Sequence, residues 1–181
     1  MGVALAGADD PVPHRPQSLD GRLVVTAAKR YGASGFGVDW SEQLVEKAQA
    51  LANAEGVGER AKFYKQDIFE TDVAKATVIT MYLLPDTNLA LRPRFLEVLR
   101  PGTRIVAHDY DMGDWRPDER ARMAAPGKTV GPIKESEVFF WVVPAKIGGR
   151  WKGMLDGKPL ELAVEQRFQD LVVRGTHGGA P

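Results

Sequence analysis

Between residues 34 and 68 the chain sets out two short apolar strands, each closed by an acid, with one amphipathic helix between them. Asp39 ends Gly35-Phe-Gly-Val-Asp39-Trp40, and Asp67 ends Lys62-Phe-Tyr-Lys-Gln-Asp67-Ile-Phe. The spacing predicts strands over residues 36–39 and 61–66. Ser41 is placed to cap the intervening helix and Glu42 to favour its positive end, while Leu44, Ala48 and Leu51 form its inward stripe until Gly56 stops it. Such a unit brings both carboxylates to one lip of a parallel sheet. In open α/β sheets ligands bind outside the strand ends, and an acid closing the second strand can accept both ribose hydroxyl protons. The pair therefore points to a nucleoside.

The same alternation continues. Val24, Ala28 and Tyr31 recur at helical spacing over residues 20–31, with Gly32 at the C-cap position. Residues 76–84, β-branched and apolar on both faces, predict a strand covered on both sides. Residues 85–99 carry a helical stripe, Pro101-Gly102 turns the chain, and residues 104–108 form another strand. Toward the C-terminus the pattern changes. Residues 138–143 are a continuous apolar run, and residues 160–168 alternate as a half-exposed antiparallel strand does; the two are expected to pair through a turn region at residues 148–159. The fold class expected is α/β, a three-layer αβα Rossmann-like sheet, mostly parallel with an antiparallel C-terminal strand pair. All 181 residues are assigned to one domain, with an atypical proline-rich segment at residues 1–19.

Composition removes several function classes. The 24 basic and 24 acidic side chains cancel, so nothing general drives the chain toward nucleic acid or an anionic membrane. No cysteine is present, which excludes disulfides, thiolate zinc sites and cysteine nucleophiles and fits a cytoplasmic setting. No run approaches the roughly 20 apolar residues of a membrane span, and the first residues lack the basic start of a secretion signal.

Several segments, in order, carry a resemblance. They are Asp20-Gly21-Arg22-Leu-Val-Val, Gly37-Val-Asp39, Asp67-Ile-Phe-Glu-Thr-Asp72, Ala76-Thr-Val-Ile-Thr-Met-Tyr-Leu83, Leu91-Arg-Pro93, Pro101-Gly-Thr-Arg104, and His108-Asp109 followed by Gly113-Asp-Trp115-Arg-Pro117. Together they resemble the class I (seven-stranded) S-adenosylmethionine-dependent methyltransferases. The branch is that of the small archaeal protein-lysine methyltransferases and the enzymes that methylate a lysine of the ATP synthase c-ring. That branch has a strand and an Asp-Leu-Gly-x-Gly loop before the Asp-Gly-Arg segment, whereas this chain has His14-Arg-Pro-Gln-Ser-Leu19. Either the first strand is lost, as the Pro11-Val-Pro13 run favours, or residues 3–7 serve as a degenerate version of it.

The resemblance implies S-adenosylmethionine as cofactor, no metal, and N-methylation of protein lysine by direct in-line transfer. Asp39 would hold the ribose and Trp40 would stack on the adenine. Asp67 would take the adenine amine with help from the Ile68 backbone, and Asp20 and Gly21 would border the methionine end. Tyr82 and Asp109 would line the acceptor pocket. Each has a plainer alternative: Asp39 and Asp20 as helix caps, Asp67 as a turn carboxylate, Trp40 and Tyr82 as packing. His108 with Asp109 evokes a base or a metal pair, but adjacency alone assembles no site. Trp115 reads as pinning the loop that follows it, and Trp141 and Trp151 as core or edge packing. Two other functions fit the same pattern: a methyltransferase-fold scaffold that has lost the cofactor loop, and an NAD-dependent oxidoreductase, which the missing Gly-x-Gly-x-x-Gly turn argues against.

Overall fold

The structure is a computed structural model describing residues 2–7, 21–128 and 134–179, the first of these as backbone. The chain falls into two compact units, Met1–Val143 and Pro144–Pro181. In the first, β1 (Gly2–Gly7), α1 (Arg22–Tyr31), β2 (Ser34–Asp39), α2 (Glu42–Ala54), β3 (Ala61–Lys65), β4 (Val78–Tyr82), α3 (Pro85–Val98) and β5 (Arg104–His108) alternate, followed by β6 (Glu119–Ala124) and β7 (Glu135–Val142). Their sheet has the order β3-β2-β1-β4-β5-β7-β6. The first five are parallel neighbours, and β7 runs antiparallel between β5 and β6.

The first strand is therefore present. β1 lies mid-sheet, with Leu5 opposite Gly37 on one side and Thr80 on the other. This overturns the inference from Pro11-Val-Pro13 that the strand is lost; that run lies outside the described residues. The physical reason is that β2 and β4 are too far apart to pair with each other, so their inward N–H and C=O groups need a strand between them.

The α1–α2 side packs through small residues. Val24, Val25, Ala28, Ala48, Ala52, Val57, Ala61 and Phe63 form one buried cluster. Gly21, just before α1, shows why the approach is close: its φ is +77°, and a Cβ there would lie 2.8 Å from the Ala48 Cβ and 2.9 Å from Phe63. Gly32 ends α1 in the left-handed conformation, as expected. Because β1 to β2 steps one way along the sheet and β4 to β5 the other, right-handed crossovers put α3 on the opposite face from α1 and α2. The strand order reverses between β1 and β4.

At the far end, Trp115 and Trp141 are fully buried with ring centroids 6.0 Å apart, and the Trp141 indole N–H donates to the Trp115 carbonyl at 2.9 Å. Trp141 is a packing residue, as the sequence predicts, whereas Trp151 is 50% exposed.

The second unit is a three-stranded antiparallel sheet, β8 (Gly149–Leu155), β9 (Lys158–Arg167) and β10 (Asp170–His177), with β9 in the middle. This corrects the expected pairing of residues 138–143 with 160–168. Asp156 and Gly157 both take positive φ, the signature of a two-residue hairpin turn, so β8 and β9 are tied directly to each other. The apolar run in β7 instead takes the place its composition demands, between two neighbours. β6 escapes the periodicity because it is an exposed edge strand, Glu-Arg-Ala-Arg-Met-Ala, whose charges discourage pairing with other chains. No helix among the described residues is long and apolar enough to cross a membrane.

Candidate functional site

The strand register lines up the tips. Val38 is level with Ala6, and Met81 with Ala107; the next rung carries Asp39, Gly7 paired with Tyr82, and His108. Residues on one rung share a face of the sheet. For Asp39, Tyr82 and His108 that is the face of Ala61 and Phe63, which pack with α1 and α2. They flank the end of β1, where the strand order reverses, and ligands of open α/β sheets bind at such a point.

Asp39 is 2% exposed, and its Oδ1 accepts the Ser41 N–H at 2.7 Å. The carboxylate thus orders the entry to α2, while Ser41, at the N-cap, makes no side-chain cap bond. The Asp39 carbonyl accepts the Gln66 N–H at 3.2 Å, which draws the segment leading to Asp67 against the tip of β2. Trp40, 48% exposed, follows directly. Asp67 is half-buried; its Oδ1 accepts the Phe69 N–H at 2.8 Å and its carbonyl accepts the Thr71 hydroxyl at 2.6 Å. Ile68 is buried. Asp39, Trp40, Asp67 and Ile68 therefore gather at one lip. Gly21 lies where α1 packs on α2 and β3, with room for no side chain. Asp20 lies outside the described residues.

On the other side of the β1 tip, Tyr82 is half-buried, with the His108 ring centroid 4.6 Å away and the Tyr110 ring stacked at 6.1 Å. Burial pushes the Tyr82 hydroxyl up to about 12, with the Asp109 carboxylate and Tyr110 adding to the shift. Near neutral pH it is an un-ionised O–H. Asp109 has φ 64° and exchanges two bonds with the Glu137 backbone, its N–H donating at 2.7 Å and its Oδ1 accepting at 3.0 Å. Its Oδ2 pairs with the Lys128 ammonium at 2.8 Å, and the His108 Nε2 is 3.7 Å from Oδ1. Burial works to raise the Asp109 pKa. The Lys128 and Glu137 hydrogen bonds and the charges of His108 and Lys128 outweigh it and hold the carboxyl below its usual value. Among the described residues no three His, Asp or Glu side chains gather as metal ligands.

Two residues that the sequence pattern does not single out hold this side in place. Asn88 is fully buried and donates from Nδ2 to the carbonyls of Tyr110 (3.0 Å) and Asp111 (3.3 Å). Arg92 donates to the Met112 carbonyl at 2.6 Å and pairs with Asp114. A signal for Asn88 exists: it shares helical spacing with Leu91 and Phe95, a polar side chain on an apolar face. Nothing in the local pattern marks Lys128. A cleft of about 330 Å³, lined in part by Ser34, Gly35, Arg60 and Lys62, opens at the other end of β2 and β3 and holds none of these residues.

Five parallel strands in the order 3-2-1-4-5 with a reversed seventh strand inserted before the sixth make this the Rossmann-like αβα fold of the class I methyltransferases. A family model described as the ANTKMT methyltransferase domain matches residues 18–119, more than half of the chain, and the chain belongs to that family. Every candidate residue above except Lys128 falls inside the match. A protein-lysine N-methyltransferase from Saccharolobus islandicus (strain REY15A) is 39% identical over 101 residues, covering 55% of this chain and 63% of the relative. A lysine N-methyltransferase from Rattus norvegicus, named for its action on an ATP synthase component, is 31% identical over 101 residues, covering 56% and 46%. The chain thus spans less than two thirds of the length of these curated relatives. Among solved structures, an RNA methyltransferase from Salinibacter ruber in complex with S-adenosyl-L-homocysteine is 38% identical with a TM-score of 0.63, covering 80% of this chain and 82% of the other.

Proposed function

We propose that this chain is an S-adenosylmethionine-dependent methyltransferase acting on a lysine amine of a protein. The observation that carries the reading is the rung at the sheet's reversal point: a buried acid on one flank of the β1 tip, Tyr82 and His108 on the other. The chemistry of the lip fits the cofactor. Adenosine offers two ribose hydroxyls and an exocyclic amine as donors; Asp39 and Asp67 offer carboxylate acceptors, with Trp40 and Ile68 as apolar walls. When bound, S-adenosylmethionine supplies an electrophilic methyl on sulfur; the amine lone pair takes it, leaving S-adenosylhomocysteine, a methylated amine and a released proton.

The chain's own residues then have to deliver that amine neutral and in line. The ring face of Tyr82 attracts a lysine ammonium to the pocket mouth, while Asp109, paired with Lys128 and bonded to the Glu137 backbone, fixes the wall beside it. Apolar surroundings at the pocket would lower an amine's pKa and favour loss of its proton. The un-ionised Tyr82 hydroxyl can hold the neutral amine in place, and alignment supplies the main catalytic effect. The names of the Saccharolobus and rat relatives support lysine as acceptor. The Salinibacter neighbour favours a second reading, RNA as acceptor.

S-adenosylhomocysteine should raise the melting temperature of the purified chain, because a ligand that binds only the folded state stabilises it. Labelled methyl from S-adenosylmethionine should then enter a cell extract in protease-sensitive, nuclease-resistant form. Nuclease-sensitive label would install the RNA reading, and no thermal shift at millimolar ligand would leave only a scaffold.

A further inference from the structure

The segment after Asp67 has no strand partner and is not helical, yet its carbonyls are turned toward a single side chain. Arg94, on α3, donates from Nη1 to the carbonyls of Ile68 (3.0 Å) and Phe69 (2.7 Å), and from Nη2 to that of Thr71 (2.6 Å). Arg94 is separated from this segment by β4, and it is not part of the ladder that aligns Asp39 with Tyr82. From the structure we infer that Arg94 is a positioning residue for the adenine edge, acting through residues 67–71 without touching the ligand. The inference rests on the cofactor reading above.

The physics is specific. Three carbonyl oxygens converging on one point repel one another unless a cation sits between them, and a guanidinium is the side chain whose planar fork can serve several acceptors at fixed angles. With the carbonyls of residues 68, 69 and 71 drawn to Arg94, the peptide planes of the segment are set. The Phe69 N–H that holds the Asp67 carboxylate belongs to the peptide plane whose Ile68 carbonyl Arg94 grips, and the plane that carries the Ile68 N–H directly precedes it. The Ile68 N–H and the Asp67 carboxylate are the two groups an adenine edge would read: the N–H for its ring nitrogen, the carboxylate for its amine. The Thr71 hydroxyl closes the turn by donating to the Asp67 carbonyl, and Thr71 itself is buried. Without the guanidinium, the turn keeps short-range ties of this kind, which do not anchor it to α3, and its peptide planes are free to swing apart. α3 thereby serves both flanks of the site, through Asn88 and Arg92 on the acceptor side and through Arg94 on the nucleoside side.

The test compares wild type, Arg94→Lys and Arg94→Gln by calorimetric titration with S-adenosylhomocysteine and with its inosine analogue, which lacks the adenine amine; melting curves are taken in parallel. Wild type should prefer the adenine ligand. Arg94→Gln should bind S-adenosylhomocysteine on the order of 10- to 100-fold more weakly, the scale of a misplaced binding group, and lose the preference over inosine. At saturating S-adenosylmethionine its kcat should stay near wild type while KM rises. Arg94→Lys should fall between, since an ammonium is a point charge that cannot hold three carbonyls in one plane; it carries the test should Arg94→Gln not fold. Unchanged affinity and preference in folded variants overturn the inference while leaving the cofactor reading intact, and so does an equal loss for both ligands, which would make Arg94 merely structural. No binding of S-adenosylhomocysteine by wild type removes the cofactor reading, and this inference with it.

Discussion

Asp39→Asn should bind S-adenosylhomocysteine on the order of 100-fold more weakly than wild type. A hydrogen bond to a charged group contributes about 1.5–3 kcal/mol, so losing two to the ribose hydroxyls, once an amide nitrogen that cannot accept replaces the oxygen facing them, reaches that factor at the lower end of the range. The substitution separates the two jobs of this side chain. Asparagine keeps an oxygen for the Ser41 N–H that Asp39 Oδ1 accepts at 2.7 Å, so the entry to α2 survives. The melting temperature should stay within about 4 °C of wild type, the shift expected of roughly 1 kcal/mol in a chain of this size. A calorimetric titration beside a melting curve reads both. Equal affinity in the two proteins would reduce Asp39 to a cap and remove the reason for placing a nucleoside at this lip.

Trp141→Ala should lower the melting temperature of the first unit by about 6–20 °C. Replacing a fully buried tryptophan by alanine costs about 3–5 kcal/mol, and each kcal/mol moves a chain of this size by about 2–4 °C. Two losses combine. The cavity opens against Trp115 and Phe139, whose rings lie 6.0 and 5.9 Å from that of Trp141, and the Trp115 carbonyl loses the indole N–H that now satisfies it. Trp141→Phe isolates the second loss: most of the volume stays, the carbonyl is left unpaired, and the cost should fall to about 1–3 kcal/mol. Thermal melts of the two variants should therefore be clearly ordered; a Phe variant as unstable as the Ala variant would mean that the indole hydrogen bond, rather than the volume, holds β7 to the loop at Trp115.

Much of the first unit is legible in the sequence because each of its signals is local. The helices over residues 22–31 and 42–54 and the strand at residues 104–108 follow from periodicity and from Gly32 and Pro101-Gly102, none of which needs a distant partner. The strand at residues 2–7 is ambiguous for the opposite reason: its place is decided by β2 and β4, which want a neighbour, and nothing within six residues announces that. The mispairing expected at the C-terminus has a similar origin. Residues 149–155 alternate weakly, so the Asp156-Gly157 turn is easily passed over and β9 acquires the wrong partner. At the site, acids at strand tips can be found from sequence because parallel sheets put strand ends in common. Asn88, Arg92 and Arg94 cannot be found so readily, since their bonds run to backbone carbonyls 20 or more residues away, which carry no side-chain signature.

The backbone of Asp109, with φ 64°, narrows what chemistry can replace it. Asparagine and glycine visit that conformation routinely, whereas a β-branched side chain there clashes with its own peptide. A saturation library at this codon, sorted first for soluble protein and then for methyl transfer, should retain asparagine and glycine at the first gate and exclude valine and isoleucine. At the second gate aspartate alone should persist, because it is the one side chain that both tolerates the bend and pairs with the Lys128 ammonium while accepting the Glu137 N–H.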